Sequence, residues 1–262
     1  MADIHSTALV EEGAQIDDDV SIGPYSLIGP NVSLGKSVKI HGHVVIEGNT
    51  SIGAGTSIFP FSAIGLMPQD KKFGGEDSRL VIGENNVIRE HVTMNPGTSG
   101  GGGLTQIGSN GLYMVGAHIA HDCIVGDDVI LANNATVAGH CIIGNRVILG
   151  GLCALHQFVR VGDLAFVGGM TGVEADIIPF GMAMGNRASL AGLNLVGMRR
   201  SNLPREQIHA VRAAYKKLFS EEGTLMERVD LVDEEFQEDE SVQKIVSFIK
   251  SASDRSFCVP QK

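Results

Sequence analysis

The run Val125-Gly126-Asp127-Asp128-Val129-Ile130-Leu131-Ala132-Asn133-Asn134-Ala135-Thr136-Val137-Ala138-Gly139-His140-Cys141-Ile142-Ile143-Gly144 returns an aliphatic residue every six positions: Val125, Leu131, Val137 and Ile143. Four residues after each stands a small or β-branched one: Val129, Ala135, Cys141 and Val147. That residue and the next aliphatic are two apart, so on a strand they face the same side. Between them lie turn formers, Gly126-Asp127-Asp128 and Ala132-Asn133-Asn134. Gly and Asn accept the dihedrals of a tight corner. Strand and corner in alternation make a coil that closes after three hexads. The result is a triangular prism, with strands of successive coils about 4.8 Å apart.

The frame extends in both directions. It starts at Ile4 and reaches Ile64, breaks over Leu66–Arg79, and resumes at Ile82, Ile88 and Met94. It breaks again at the glycine run Gly100–Gly103, then continues from Ile107 to Val173. About 26 hexads make nearly nine coils, a rod roughly 40 Å long. A break in a solenoid must loop outward, often on a binding face. The expectation is therefore a parallel β-helix over residues 1–190, all-β and of hexapeptide type, with loop insertions near 66–80 and 99–106. Periodicity leaves its handedness open. Over 191–262 a C-terminal α-helical domain is expected to cover the open solenoid end. Pro204 opens one helix, with Ile208, Val211, Ala214 and Leu218 at helical spacing, and Ser241–Lys250 forms another.

Composition agrees. Aromatic residues are 5% and Trp is absent, while Gly numbers 34 in 262 residues; an ordinary core wants bulky rings, a stacked one wants small and β-branched side chains. A net charge of −10 argues against nucleic acid, which calls for a basic footprint. No apolar run approaches the roughly 20 residues of a membrane span, and the start Met1-Ala2-Asp3-Ile4-His5 lacks the form of a signal peptide. The expected location is cytoplasmic. Cys123, Cys141 and Cys153 fall at small interior positions, which makes them packing residues; Cys258 carries no signal.

Four of the nine histidines lie between 118 and 156. His121, His140 and His156 occupy corners, and His118 the outward face of its strand. Adding one coil of eighteen residues puts His121 beneath Gly139, and Gly139 beneath Gln157. A base would have a glycine amide about 5 Å away on the backbone spacing, an arrangement of proton acceptor and oxyanion donor. A merely polar surface can also carry several histidines.

The stretch His118-Ile119-Ala120-His121-Asp122-Cys123, with Leu131-Ala132-Asn133-Asn134, Ala138-Gly139-His140 and His156-Gln157-Phe158, resembles the UDP-N-acetylglucosamine O-acyltransferases, which start lipid A biosynthesis. Pro68-Gln69-Asp70 and Gly192-Leu193-Asn194 through Arg199-Arg200 belong to the same likeness, which spans essentially the whole chain. The resemblance implies a left-handed coil, a homotrimer and active sites between subunits. It implies His121 as catalytic base, Asp122 as its orienter and the Gly139 amide as oxyanion donor. Gln69, Asp70, Lys72, His118, His140, His156, Gln157, Asn194, Arg199 and Arg200 would bind substrate, and Gly169 would limit acyl-chain length, leaving room for a long chain that the neighbouring Met170 could shorten. The substrates implied are acylated acyl carrier protein and UDP-N-acetylglucosamine, with no metal and no resident cofactor. Two positions depart: well-studied members carry a His-Arg pair where this chain has Asn95-Pro96, and an acidic residue at Val196.

Arg199, Arg200, Arg205, Arg212, Lys216 and Lys217 concentrate positive charge where an acidic carrier protein could dock. Two other enzymes fit a solenoid with exposed histidines. A zinc hydratase would use His118, His121 and a histidine of a sister chain, and an acetyl-CoA-dependent sugar acetyltransferase would use a shorter donor. An ice-binding β-helix would show regular Thr ladders, which are absent.

Overall fold

The computed structural model describes residues 1–261. Most strands are two residues long, and each pairs in parallel with the strand one coil further on: His118 with Thr136 and Thr136 with Ala154. Every third strand joins the same sheet, giving three faces of eleven, nine and eight strands. The first face begins with Asp3–Ile4, the second with Leu9–Val10 and the third with Gln15–Ile16. The chain is a parallel β-helix, and the hexad aliphatics fill its interior: Ile28, Ile46, Ile58, Ile64, Ile88 and Leu131 are fully buried. Each such side chain contributes about 1.5–3 kcal/mol of burial. Cys123, Cys141 and Cys153 are buried and unpaired among them, as their small positions require.

One core position breaks the rule. Tyr113 takes an aliphatic place and is fully buried. Gly111, two residues earlier, leaves room for it; a Cβ there would lie 2.6 Å from the Tyr113 hydroxyl.

The corners are broader in chemistry than Gly and Asn. Asp122, Asp128, Asn134, His140, Arg146, Leu152 and Phe158 all hold φ between +57° and +66°. This left-handed conformation costs a non-glycine residue roughly 1–2 kcal/mol. A ladder hydrogen bond offsets it at each turn: the His140 amide donates to the His121 carbonyl at 3.0 Å, and that of Leu152 to Asn133 at 3.0 Å.

Both insertions leave the prism at one corner, between the second and third faces. Asn49 pairs with Arg79, thirty residues on instead of eighteen, and Arg79 pairs with Leu104, twenty-five on. Arg79–Ile82 and Leu104–Ile107 are strands, so the insertions expected near 66–80 and 99–106 close earlier, at 78 and 103. The small hexad positions Leu80 and Thr105 already point inward and are fully buried.

After Val173 the first face gains Gly181–Met184, then Ser189–Leu193 running antiparallel to it. A division at 190/191 therefore cuts a strand. Four helices follow: α1 (Leu195–Arg200), α2 (Arg205–Leu218), α3 (Leu225–Glu235) and α4 (Glu240–Lys250). Pro204 is the residue before α2 rather than its first turn. The charged helix α3, with only Val229 and Val232 buried, lacks a clear apolar stripe in sequence. α4 packs along the flank of the third face: the Arg160 guanidinium lies 4.5 Å from the Phe248 ring centroid, and Lys244 is 3.7 Å from Asp163. Among the described residues no helix is long and apolar enough to cross a membrane.

Candidate active site

The corner between the second and third faces carries the histidines. The His140 amide donates to the His121 carbonyl at 3.0 Å, and the Phe158 amide to Gly139 at 3.2 Å. His121, Gly139 and Gln157 thus form one rung series, with Asp122, His140 and Phe158 beside it. The His140 and Phe158 rings stack at 4.5 Å, and His121 meets His140 edge-on at 5.0 Å.

His121 is not an open corner residue; it is 5% exposed. Its Nδ1 lies 2.7 Å from Asp122 Oδ2. An ionised carboxylate only accepts, so Nδ1 carries the hydrogen and Nε2 the lone pair. The ring lies against Gly139: a Cβ on that residue would stand 2.6 Å from Cε1 and 2.8 Å from Nε2. Only glycine leaves space for the imidazole there. The Gly139 N–H has no hydrogen-bond acceptor among the described residues. The corner leaves this amide free in the same way at Gln157, which is exposed, whereas Gly139 is buried against the His121 ring.

Asp122 is held from the second insertion. The Thr98 amide donates to Oδ1 at 2.8 Å and the Thr98 hydroxyl to Oδ2 at 2.6 Å. Its own amide donates to Thr105 Oγ1 at 2.8 Å. The loop closes so tightly that a Cβ on Gly101 would fall 2.0 Å from the carboxyl carbon. Within the glycine run that interrupts the hexads, Gly101 is the position this contact requires to be glycine. Glu76 links the two insertions by accepting from the Ser99 and Gly74 amides at 3.0 and 2.7 Å. Those amides, Ser99 first, hold its carboxyl down to about 2. Thr98, Thr105 and Glu76 are missed by sequence reading, since nothing in their spacing marks a partner more than 15 residues away.

His118 hydrogen-bonds Thr93 Oγ1 through Nδ1 at 2.7 Å. Burial lowers its pKa, and the neighbouring His121 adds to the effect. Burial also lowers His140, while Asp122 and Asp70 oppose it and Lys72 assists. Asp70 and Lys72 therefore lie close enough to this corner to act on it, with Gln69 exposed beside them. His121, Asp122 and His140 place one ligand atom each within 4.8 Å of one another. The zinc reading's own set of His118, His121 and a sister chain's histidine is not this one, and here the first two groups already share a hydrogen bond.

A family model described as UDP N-acetylglucosamine O-acyltransferase, domain 2, matches residues 176–258. An acyl-(acyl-carrier-protein)–UDP-N-acetylglucosamine O-acyltransferase of Azorhizobium caulinodans is 47% identical over 99% of this chain and 96% of its own. The chain belongs to the UDP-N-acetylglucosamine O-acyltransferase family. A relative of the same name from Caulobacter vibrioides is 56% identical over 205 residues, 78% of each chain. The solved UDP-N-acetylglucosamine acyltransferase of Campylobacter jejuni is similar at a TM-score of 0.93 and 41% identity, across 98% of this chain and 100% of that one.

Other residues expected at the site of an O-acyltransferase of this family lie elsewhere on the single chain. Asn194 and Arg200 line a cavity of ≈ 600 Å³ on the first face, with Ile130, Ile148 and Phe166 as its floor. Val196 lines it too. The Asn194 side chain has local work: its Oδ1 accepts from Gly197 N at 2.9 Å, capping α1, and its Nδ2 donates to Leu164 O at 2.8 Å. Arg199 lies apart from that cavity, in a groove with Arg205, His209 and Arg212. The basic concentration expected near the helices divides, because Lys217 pairs with Glu235 on another surface. Gly169 and Met170 occupy the corner between the first and second faces, Met170 well exposed. Asn95 is turned inward, its Nδ2 donating to Leu66 O at 3.0 Å. That departure from the family pattern ties the first insertion to the prism.

Proposed function

We propose that this protein moves a 3-hydroxyacyl chain from acyl carrier protein to the 3-position of UDP-N-acetylglucosamine, the first step of lipid A biosynthesis, with His121 as general base. The observation that carries this reading is the packing of the Asp122-held His121 ring over Gly139. The lone pair of Nε2 takes the proton of the sugar hydroxyl as its oxygen attacks the thioester carbonyl. The tetrahedral oxyanion is received by the Gly139 N–H. The C–S bond then breaks, and the pantetheine sulfur leaves with the proton returned from His121. Asp122 fixes the ring and stabilises its charged form. A positioned base contributes about 10²–10⁴-fold and one oxyanion donor about 10²–10³-fold. The transfer as written calls on this chain's own groups, without a metal or resident cofactor.

The same reading carries a left-handed coil, a cytoplasmic location and a homotrimer. Its support for the trimer is the placement of Asn194 and Arg200 on the first face, away from the His121 corner. A site using both sets needs the corner of one copy against the first face of another. Gln69, Asp70 and Lys72 then close the sugar-nucleotide side. His118, His140, His156 and Gln157 line the substrate path, with Arg199 near the carrier, and Gly169 with Met170 bounds the acyl chain.

The test is product mass spectrometry on a pool of acyl carrier proteins with UDP-N-acetylglucosamine. Wild-type protein should yield an acylated nucleotide sugar, and His121→Ala should lose at least about 10²-fold in rate. Transfer by His121→Ala at the wild-type rate would remove His121 as base.

A further inference from the structure

The segment after α4 returns to the histidine corner and is pinned on both sides of Arg255. Before it, Ser253 Oγ donates to Asp176 Oδ2 at 2.6 Å, and the Arg255 amide donates to that same Ser253 oxygen at 3.0 Å. After it, Phe257 bridges Asp176 in parallel, the Cys258 amide donates to Asp176 O at 2.8 Å, and the Leu190 amide to Val259 O at 3.0 Å. Asp176 is fully buried and paired with Arg160 at 2.7 Å. The anchor is therefore rigid, and breaking such a buried pair is strongly destabilising.

From this strap the Arg255 guanidinium reaches the last rung of the ladder that begins at His121. Nε donates to Gln157 O at 2.9 Å, and Nη2 lies 2.6 Å from His156 Nδ1. A guanidinium has donors only, so His156 Nδ1 accepts. In the neutral ring the hydrogen then sits on Nε2, on the far edge from the strap. His156 itself is exposed. Nη1 has no partner among the described residues. One corner thus presents an oriented N–H and a fixed positive charge with unused donors, the combination that recognises phosphate.

Resting on the transfer reading above, we propose that Arg255 and His156 form a subsite for a substrate phosphate, with Arg255 setting the His156 tautomer. The phosphate is either the pyrophosphate of the nucleotide sugar or the phosphodiester of the carrier's pantetheine arm. It is held equally in the ground and transition states, so its loss raises KM and leaves kcat nearly unchanged.

The experiment uses the full-length enzyme with Arg255→Met and Arg255→Lys, and titrates each substrate separately. Arg255→Met should raise one KM about tenfold or more, the loss of a charge-assisted contact, while kcat stays within about threefold. Arg255→Lys should fall between, keeping the charge without the fork. A rise for the nucleotide sugar assigns the pyrophosphate. A rise for acyl carrier protein, absent with an acyl-pantetheine that lacks phosphate, assigns the arm. Nitrogen NMR of His156 should show the Nε2–H tautomer in wild type and a mixture in Arg255→Met. Both KM values within about twofold, or an unchanged tautomer, would overturn the subsite. Failure of wild-type protein to transfer an acyl group would instead overturn the functional reading, which the tautomer measurement does not depend on.

Discussion

The imidazole of His121 fills the space where any side chain on Gly139 would begin, with Cε1 only 2.6 Å from the place of a Cβ. Gly139 has no positive φ among the corner residues that do, so an alanine there is opposed by the ring and not by the backbone.

Gly139→Ala should therefore displace His121 and cost about 1–3 kcal/mol of overpacking together with about 10²-fold or more in kcat. In a His121→Ala background the stability cost should shrink, because the opposing ring is gone. Denaturant unfolding of the four proteins in the cycle measures this coupling. Equal costs in both backgrounds would show that the contact is not the cause.

Thr98 reaches Asp122 with both its amide and its hydroxyl. Thr98→Val keeps the shape and the amide bond but removes the O–H donor from the oxygen that also holds His121. A kcat loss of about tenfold at unchanged KM is expected, with Thr98→Ser near wild type. If serine failed to rescue, the methyl group and not the hydroxyl would be what matters.

Burial lowers the pKa of both His118 and His140. The folded protein resists protonating them, whereas the unfolded chain takes up protons near the ordinary value of about 6.5. Unfolding free energy should fall as the pH drops below that value and level off below the folded pKa values. Chemical denaturation from pH 7.5 to 5 in wild type and His118→Asn, His140→Asn protein checks the sign. Removing the two rings should flatten the slope over that window, and an unaltered slope would contradict the prediction.

The Tyr113 hydroxyl is buried with no hydrogen-bond partner, and burial pushes its pKa above the ordinary phenol value. Leaving a buried polar group unmade costs about 1–3 kcal/mol. Tyr113→Phe removes that penalty without changing the ring, so thermal unfolding should show equal or higher stability. Gly111→Ala should be destabilising, since its Cβ meets the same ring. A marked loss in Tyr113→Phe would mean that the hydroxyl is satisfied in solution.

The sequence by itself determined the prism, because a side chain's direction on a strand follows from position alone, and Ile28, Ile46 and Ile64 could only be interior once the sixfold frame was seen. It also determined that His121 stacks beneath Gly139, a consequence of eighteen residues per coil. What only the tertiary structure decided are the contacts that the repeat does not carry. Thr98 reaches Asp122 from an insertion 24 residues away, and Arg255 reaches His156 across 99 residues. Loops and tails have no period, so their partners are set by packing. The same packing buried His121, which the repeat alone had left on an open corner.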